Sequence, residues 1–446
     1  MAETSTGRVR VRPWIRRLGR ILLPVLLLIG AGQVWDNFEA RRVEPLLARI
    51  TAARKPMPTL PPAADDGWSV FPWERSNNAE RLYRAAAMAS KRRTWQPTAG
   101  DPLLIRREAM SRGALPPAAV LDEGALVVAG NEWSLRLVEH AAGLPVQLPR
   151  SARSDSSLGE VLAVGIAAAH HTLDHAQQRN ADAAVEWLIV RARTLRMFQP
   201  DQWAWGANLA TQEIRGVAAD VAIVVGWTSP SDAQLQRLDA ALGEMVPREY
   251  LRWTLAEMAL FRRDLLRRRV FQGPASFPAM SPIRANNLHA LLTTMNRAVD
   301  ATELPWPERI KVLEQLTVAR PLLPVGPSGF WDVGRLVRDA ATWAAESEAF
   351  LRAARIAVAI ERYRRTHGEA PGTLAMLSVR DDLTDPFTGE AMRYTRSGGG
   401  YAVYSVGRNR RDDGGASSGE GGKAQMPGRG RPLDDGVSVT FAAPPR

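Results

Sequence analysis

Two histidines spaced four residues apart form the simplest metal-binding pattern in the chain. His171 and His175 fall on one face of a predicted helix, and this spacing can chelate zinc. The residues between them, Thr-Leu-Asp, lack the glutamate that serves as general base in the H-E-x-x-H metalloprotease motif. The sequence shows no third ligand. A polar end of a packed helix is therefore the favoured interpretation, and a metal-dependent hydrolase is the alternative.

Composition restricts the other chemistry that the chain could perform. The 446 residues include no cysteine, which excludes disulfides, thiolate nucleophiles and Cys-ligated zinc or iron–sulfur clusters. The sequence also lacks the G-x-S-x-G nucleophile elbow and the P-loop. Hydrophobic residues make up 45% and charged residues 24%, an ordinary globular composition that excludes wholesale disorder and a polytopic membrane protein.

The net charge of +11 is concentrated at the N-terminus. Residues 1–20 carry six arginines and one acid, which accounts for +5. An apolar run at residues 21–32 follows directly, and a basic stretch before an apolar run is typical of export with the arginines on the cytoplasmic side. The densest later cluster begins at Arg262 and Arg263 and is predicted to be a solvated helix end. No nucleic-acid partner is expected from this distribution.

Residues 14–35 predict an uncleaved signal anchor. These 22 residues would form a helix of about 33 Å, close to the bilayer core of about 30 Å. Trp14 and Trp35 would then lie at the two interfaces. A cleaved signal peptide is the alternative, because the uninterrupted apolar run is short. Either interpretation places the chain after about residue 36 outside the cytoplasm, as a single-pass protein of the bacterial inner membrane whose bulk is periplasmic.

The chain divides into five predicted regions with a mainly α fold. They are a basic cytoplasmic leader (1–20), a signal anchor or transmembrane helix (21–35), a juxtamembrane helix with a Pro-rich linker (36–63), a helical ectodomain (64–337) and a C-terminal module (338–446). Apolar residues at helical spacing predict an irregular stack of helical hairpins in the ectodomain. Asn180 is the predicted N-cap of one helix, and Ser229 with Pro230 is predicted to open another.

The C-terminal module is predicted to be a small α+β unit with a short antiparallel sheet. A long helix at residues 338–365 precedes hairpin strands at residues 385–394 and 401–407, joined by a turn at residues 398–400. A final strand is predicted at residues 437–441.

This order resembles the globular part of the major pseudopilins of type II secretion and their relatives. In that family a long helix precedes a D-P-[WF]-G turn, short strands and a Y-x-x-x-S-x-G-x-D loop closed by Asp-Asp. The matching residues are Asp385, Pro386, Phe387, Tyr394, Tyr401, Ser405, Gly407, Asn409, Asp434 and Asp435. The whole chain also resembles bacterial envelope proteins that have a signal anchor, a long helical region and a short β-containing tail.

The pseudopilin resemblance implies a calcium site in the Gly-rich loop. The implied ligands are Ser405, Asn409, Asp434 and Asp435, together with Asp412 or Asp413. Calcium takes six to eight oxygen ligands, and a flexible loop can wrap it. Asn409 stands where the family has an Asp, which removes one charge, and an acidic loop whose Asp side chains cap turns is the alternative.

These features predict a non-catalytic, membrane-anchored envelope protein with a helical interaction surface and a calcium-stabilised terminal module. Its expected partners are the membrane, through the N-terminal helix, and envelope or secretion-type proteins. The alternative is a periplasmic metal-dependent hydrolase with its site at His171 and His175.

Overall fold

The computed structural model describes most of the chain in separate stretches. They comprise residues 13–54, positions 79, 82, 85 and 86, and residues 113–144, 155–197, 205–270, 281–317, 333–378, 383–397, 399–415 and 435–441. At some helical positions, including residues 13–21, only the backbone is described.

The described chain is mainly helical with one small antiparallel sheet, as the sequence predicts. The helices are α1 (Pro13–Ala52), α2 (Ala118–Ala129), α3 (Glu132–Ala142), α4 (Asp155–Gln177), α5 (Ala181–Thr194), α6 (Trp205–Trp227), α7 (Asp232–Gly243), α8 (Pro247–Val270), α9 (Ser281–Ala301), α10 (Trp306–Gln315) and α11 (Val333–His367). The strands are β1 (Arg393–Ser397), β2 (Gly400–Ser405) and β3 (Asp435–Thr440), in the order β1-β2-β3.

The α4–α5 hairpin forms where the sequence predicts it. The Asn180 side chain accepts a hydrogen bond from the Ala183 amide at 3.2 Å and so caps α5. The predicted start of α7 is wrong, however. Ser231 is the N-cap rather than Ser229, because Ser231 and Gln234 form a reciprocal capping box that satisfies two backbone amides.

The long helix α11 joins two hydrophobic cores. Its first half, from Val333 to about Ala349, packs with α8, α9, α10 and the second half of α1. Its second half, from Phe350 onward, packs with α4, α5, α6, α7 and the sheet. The predicted domain boundary at residue 338 therefore falls inside a helix that both cores share.

The sheet lies directly against the helical body. Strand β2 is central, with Tyr401 opposite Arg396 on β1 and opposite Val439 on β3. Strand β3 contacts both α6 and α11. It approaches α6 so closely that a Cβ at Gly226 would collide with the Thr440 carbonyl oxygen, and glycine permits this contact. The predicted first strand at residues 385–394 is wrong in its position, because residues 385–389 form a turn and β1 begins at Arg393.

Helix α1 continues without interruption into the body of the protein. In its second half, Val43 and Ile50 are buried against α8 and α9. Ala53, just beyond the helix end, is buried in the same core. The part of α1 that the sequence predicts as a juxtamembrane helix is thus packed into the core that it shares with α8, α9 and α10. Within the residues that the structure describes, no helix meets the length and apolarity of a membrane span.

Candidate functional site

The structure places His171 and His175 side by side on α4. Their ring centres are 4.6 Å apart, and the ring centres of His171 and Trp187 of α5 are 4.3 Å apart in an edge-to-face arrangement. Both Nδ1 atoms are buried without a hydrogen-bond partner. Burial lowers the pKa of His171 to about 4, and the neighbouring His175 adds to this effect.

The other histidines of the sequence do not join this pair. His170 faces the opposite way, toward α2, where Gly124 leaves room for its ring. His289 lies 3.4 Å from the Arg42 guanidinium, and the His367 ring stacks on Tyr363 at 3.8 Å. Within the described stretches, no group of three or more His, Asp or Glu side chains is placed to hold a metal ion. The hydrolase hypothesis therefore has two adjacent histidines but no full ligand set among these residues.

The described part of the predicted calcium loop is ordered by its own hydrogen bonds. Asp412 accepts hydrogen bonds from the Tyr404 hydroxyl at 3.1 Å and from the Gly414 amide at 3.0 Å. The Asn409 side-chain amide donates to Asp413 at 2.7 Å. Asn409, Asp412 and Asp413 thus lie in one turn directly after β2, which is the arrangement expected if Asp side chains cap turns.

The remaining predicted calcium ligands lie at one end of the sheet. Ser405 is buried at the end of β2, where its hydroxyl accepts a hydrogen bond from the Gly407 amide at 3.0 Å. The antiparallel register places Asp435, at the start of β3, opposite Ser405. Asp434 lies outside the described residues, so the calcium site stays a prediction from the sequence.

Asp385 connects the D-P-F turn to the end of the sheet. Its buried carboxylate accepts hydrogen bonds from the Phe387 amide at 2.7 Å and from the Val406 amide at 2.9 Å. Gly389 closes the turn with a φ of +78°, a left-handed conformation that glycine adopts without strain. The matched family residue therefore has a structural role here.

Replacement of Asp385 by alanine is expected to lower the free energy of unfolding by about 2–4 kcal/mol, because two buried amides lose their acceptor. Urea denaturation measures the change. Glu390→Ala is the matched control, since its exposed side chain pairs only with Arg393 and should change stability by about 0.5 kcal/mol or less. Equal costs for the two variants would contradict this role for Asp385.

A buried carboxyl joins α11 to the sheet. Glu361 is 2% exposed, lies 3.2 Å from the Tyr401 hydroxyl and pairs with Arg364 at 2.8 Å. Burial raises the pKa of the Glu361 carboxyl, and the Arg364 charge and the hydrogen bonds offset this only in part.

This raised pKa predicts a pH-dependent stability. Above pH 4.5 the unfolded chain releases the Glu361 proton before the folded chain does, so the wild type loses stability as the pH rises. The free energy of unfolding of the wild type, relative to Glu361→Gln, is expected to fall between pH 4 and pH 7. Glu369→Gln, which changes an exposed carboxylate, controls for the loss of one charge. A relative stability that rises over this interval would contradict the assignment.

Sequence reasoning missed the charge network buried between α5 and α6. Arg191 is 5% exposed and pairs with Asp220, which is fully buried, and with Glu213 at 3.2 Å. Burial alone would lower the pKa of Arg191, but the two carboxylates outweigh it and raise the pKa above its ordinary value. The sequence feature that could have revealed this network is Asp220, a charged residue inside the apolar part of α6.

The basic cluster in α8 begins with a buried arginine, whereas the next one, Arg263, is partly exposed and pairs with Asp264. Arg262 is 1% exposed, and burial lowers its pKa to about 10. The prediction of a solvated helix end is therefore wrong for Arg262, because this side chain faces the packed side of α8. The side chains of residues 265–270 lie outside the described set.

The first half of α1, by which we mean the part before Val43, exposes large apolar side chains. They are Leu22, Leu23, Leu26, Leu27, Val34 and Phe38, with exposed fractions from 47% to 71%. Exposed leucines are common singly, whereas contiguous exposed apolar patches are typical of membrane or protein interaction sites. We call this set the α1 apolar surface.

A groove of about 320 Å³ lies on the helical body where α5 passes between α3 and α7. Its charged lining includes Glu139, Arg193 and the exposed Glu186–Arg237 pair, which are joined at 2.6 Å. Trp187 supplies an aromatic wall. The groove thus offers mixed charges and one aromatic ring to a partner.

Comparison of the chain with protein-family models, with curated proteins and with solved structures found no match.

Proposed function

We propose that this chain is a membrane-anchored, exported envelope protein that uses its helical body as an interaction scaffold. The observation that carries the proposal is the division of α1 into two halves. The first half presents the α1 apolar surface, whereas the second half is buried in the core with α8 and α9. One helix therefore belongs both to the proposed anchor and to the folded body.

The chemistry of α1 supports insertion of its first half into a lipid bilayer. Leu27 is 64% and Val34 is 71% exposed, so water would cover them without a membrane or partner. Pro24 lies inside this half, and proline is more frequent in membrane-spanning helices than in soluble ones. The arginines of residues 1–20 favour a cytoplasmic N-terminus. These features support a single-pass inner-membrane protein whose body is periplasmic.

The contacts of the buried charges favour a scaffold over an enzyme. Arg191 is held by two carboxylates, Asp385 by two backbone amides, and Glu361 by Tyr401 and Arg364. Groups held in this way rigidify the body and join its helices to the sheet. The groove between α3, α5 and α7 is the surface that we propose for an envelope or secretion-type partner.

Alkaline carbonate extraction of membranes that contain the full chain tests the anchor. The proposal predicts that the protein stays in the membrane pellet at its full mass. A soluble protein of full mass would contradict it, and a soluble protein that has lost about 30 residues would show the cleaved signal peptide instead.

Calcium binding by the C-terminal module is the part of this proposal with the sharpest chemical test. If Asp413 is a ligand, calcium should raise the melting temperature of the full chain by a few degrees, and Asp413→Asn should abolish that shift. Asp239→Asn changes a carboxylate that pairs with Arg355 and serves as the control. A shift that survives Asp413→Asn would remove Asp413 from the site, and no shift in the wild type would contradict calcium binding.

A further inference from the structure

The half-buried pair of imidazoles on α4 lies close enough together to chelate one ion. Two imidazoles bound to one tetrahedral zinc ion, with Zn–N distances of about 2.0–2.1 Å and an N–Zn–N angle of about 109°, have ring centres roughly 5.2 Å apart. The ring centres of His171 and His175 are 4.6 Å apart. The two rings therefore need to separate by roughly 0.6 Å to hold one ion in this geometry.

The hydrogen bonding of the two rings gives a second reason. The Nδ1 atoms of His171 and His175 are both buried and have no partner. Buried polar atoms without partners are rare in proteins, and each carries a desolvation cost. A metal ion bound at Nδ1 of each ring, with the imidazole proton on Nε2, would supply that missing partner.

The elements around the pair hold it rigidly. α4 and α5 form one hairpin with a capped turn at Asn180. The Trp187 ring packs edge-to-face against the His171 ring with the ring centres 4.3 Å apart, so the ring of His171 cannot turn freely away from His175. Rigid donors lose less conformational entropy when they bind an ion.

We propose that His171 and His175 bind one divalent transition-metal ion of the zinc class. Two neutral imidazoles suit zinc, copper and nickel, whereas calcium and magnesium prefer oxygen ligands. Two protein ligands leave at least two coordination positions of a tetrahedral ion to water or to an exogenous donor. The site is separate from the C-terminal loop. Its test is also independent of the membrane anchor, because zinc binding by α4 does not require α1 to span a membrane.

Competition with a chromophoric zinc chelator, on the full chain in detergent, tests this site. The wild type is expected to take up one zinc ion per chain. His171→Gln/His175→Gln should weaken zinc binding at least tenfold, because glutamine keeps a polar side chain but is a poor zinc ligand. His140→Gln, which changes a histidine of α3, is the matched control and should bind zinc as the wild type does.

Copper quenching of tryptophan fluorescence locates the ion. A Cu²⁺ ion on the pair should quench Trp187, so the quenched amplitude should fall in Trp187→Phe. This readout and the single variants His171→Gln and His175→Gln decide the question if the double variant does not fold. A wild type that takes up no zinc, or single variants that bind zinc as tightly as the wild type, would overturn the proposal.

Discussion

Replacement of Arg191 by methionine is expected to lower the free energy of unfolding by about 3–5 kcal/mol. The substitution leaves the carboxylates of Asp220 and Glu213 without their cation in the core, and breaking a buried pair in this way costs about that much. Urea denaturation of the full chain measures the change. Arg237→Met is the matched control, since Arg237 and its partner Glu186 are 59% and 46% exposed and their pair should contribute about 1 kcal/mol or less.

A double-mutant cycle sharpens this prediction. Gly216 of α6 lies so close to the Arg191 guanidinium that a Cβ at this position would collide with it. Gly216→Ala should therefore destabilise the wild type more than it destabilises Arg191→Met, in which the guanidinium is absent. Equal costs in the two backgrounds would contradict the packing of Arg191 against α6, and an Arg191→Met cost close to that of Arg237→Met would contradict the buried network.

Three arginines on the α1 apolar surface are expected to remove the protein from the membrane. A charged residue near the centre of a spanning helix costs about 2.5–3.5 kcal/mol, so Leu23→Arg/Leu26→Arg/Leu27→Arg should cost roughly 7–10 kcal/mol of insertion free energy. The fraction of the chain that stays in the carbonate-washed pellet should fall from nearly all to a small remainder.

The second half of α1 supplies the matched control for this experiment. Ala48, Thr51 and Ala52 are exposed in the docked half, and their replacement by arginine adds the same three charges outside the proposed span. That variant should stay in the pellet. If both triple variants pellet like the wild type, the α1 apolar surface does not insert into the membrane.

The periodic features of the chain could be predicted from its sequence. Apolar residues at helical spacing predicted a stack of helical hairpins, and α4 and α5 form one, because each buries a continuous face. A β1–β2 hairpin was predicted from alternating residues around a glycine turn, but its first strand was expected at residues 385–394 and begins only at Arg393. The predicted Asn180 cap depends only on residues within one turn of helix, and it is present.

Features that depend on partners distant in sequence could not be predicted in the same way. Asp220 interrupts an apolar run in the sequence, but no local pattern specifies its partner, since Arg191 lies 29 residues earlier on another helix. Arg262 belongs to a basic cluster in the sequence, but the direction of its side chain depends on the packing of α8. The short helix α2 was missed altogether.

The candidate site was predicted in its residues but not in its arrangement. Helical spacing predicted that His171 and His175 share a face, and the structure shows that they do. The Trp187 ring that confines them comes from the next helix, and no local pattern specifies that contact. The absence of hydrogen-bond partners for both Nδ1 atoms could be seen only once the rings were placed.

The location of the folded body relative to the membrane tests the central claim most directly. Alkaline phosphatase and green fluorescent protein, each fused after residue 446, report on the two sides of the inner membrane, since the first is active only outside the cytoplasm and the second fluoresces after folding inside it. We predict an active phosphatase fusion and a dark fluorescent-protein fusion, both in the membrane fraction. A bright fluorescent-protein fusion with an inactive phosphatase fusion would place the body in the cytoplasm and contradict the account.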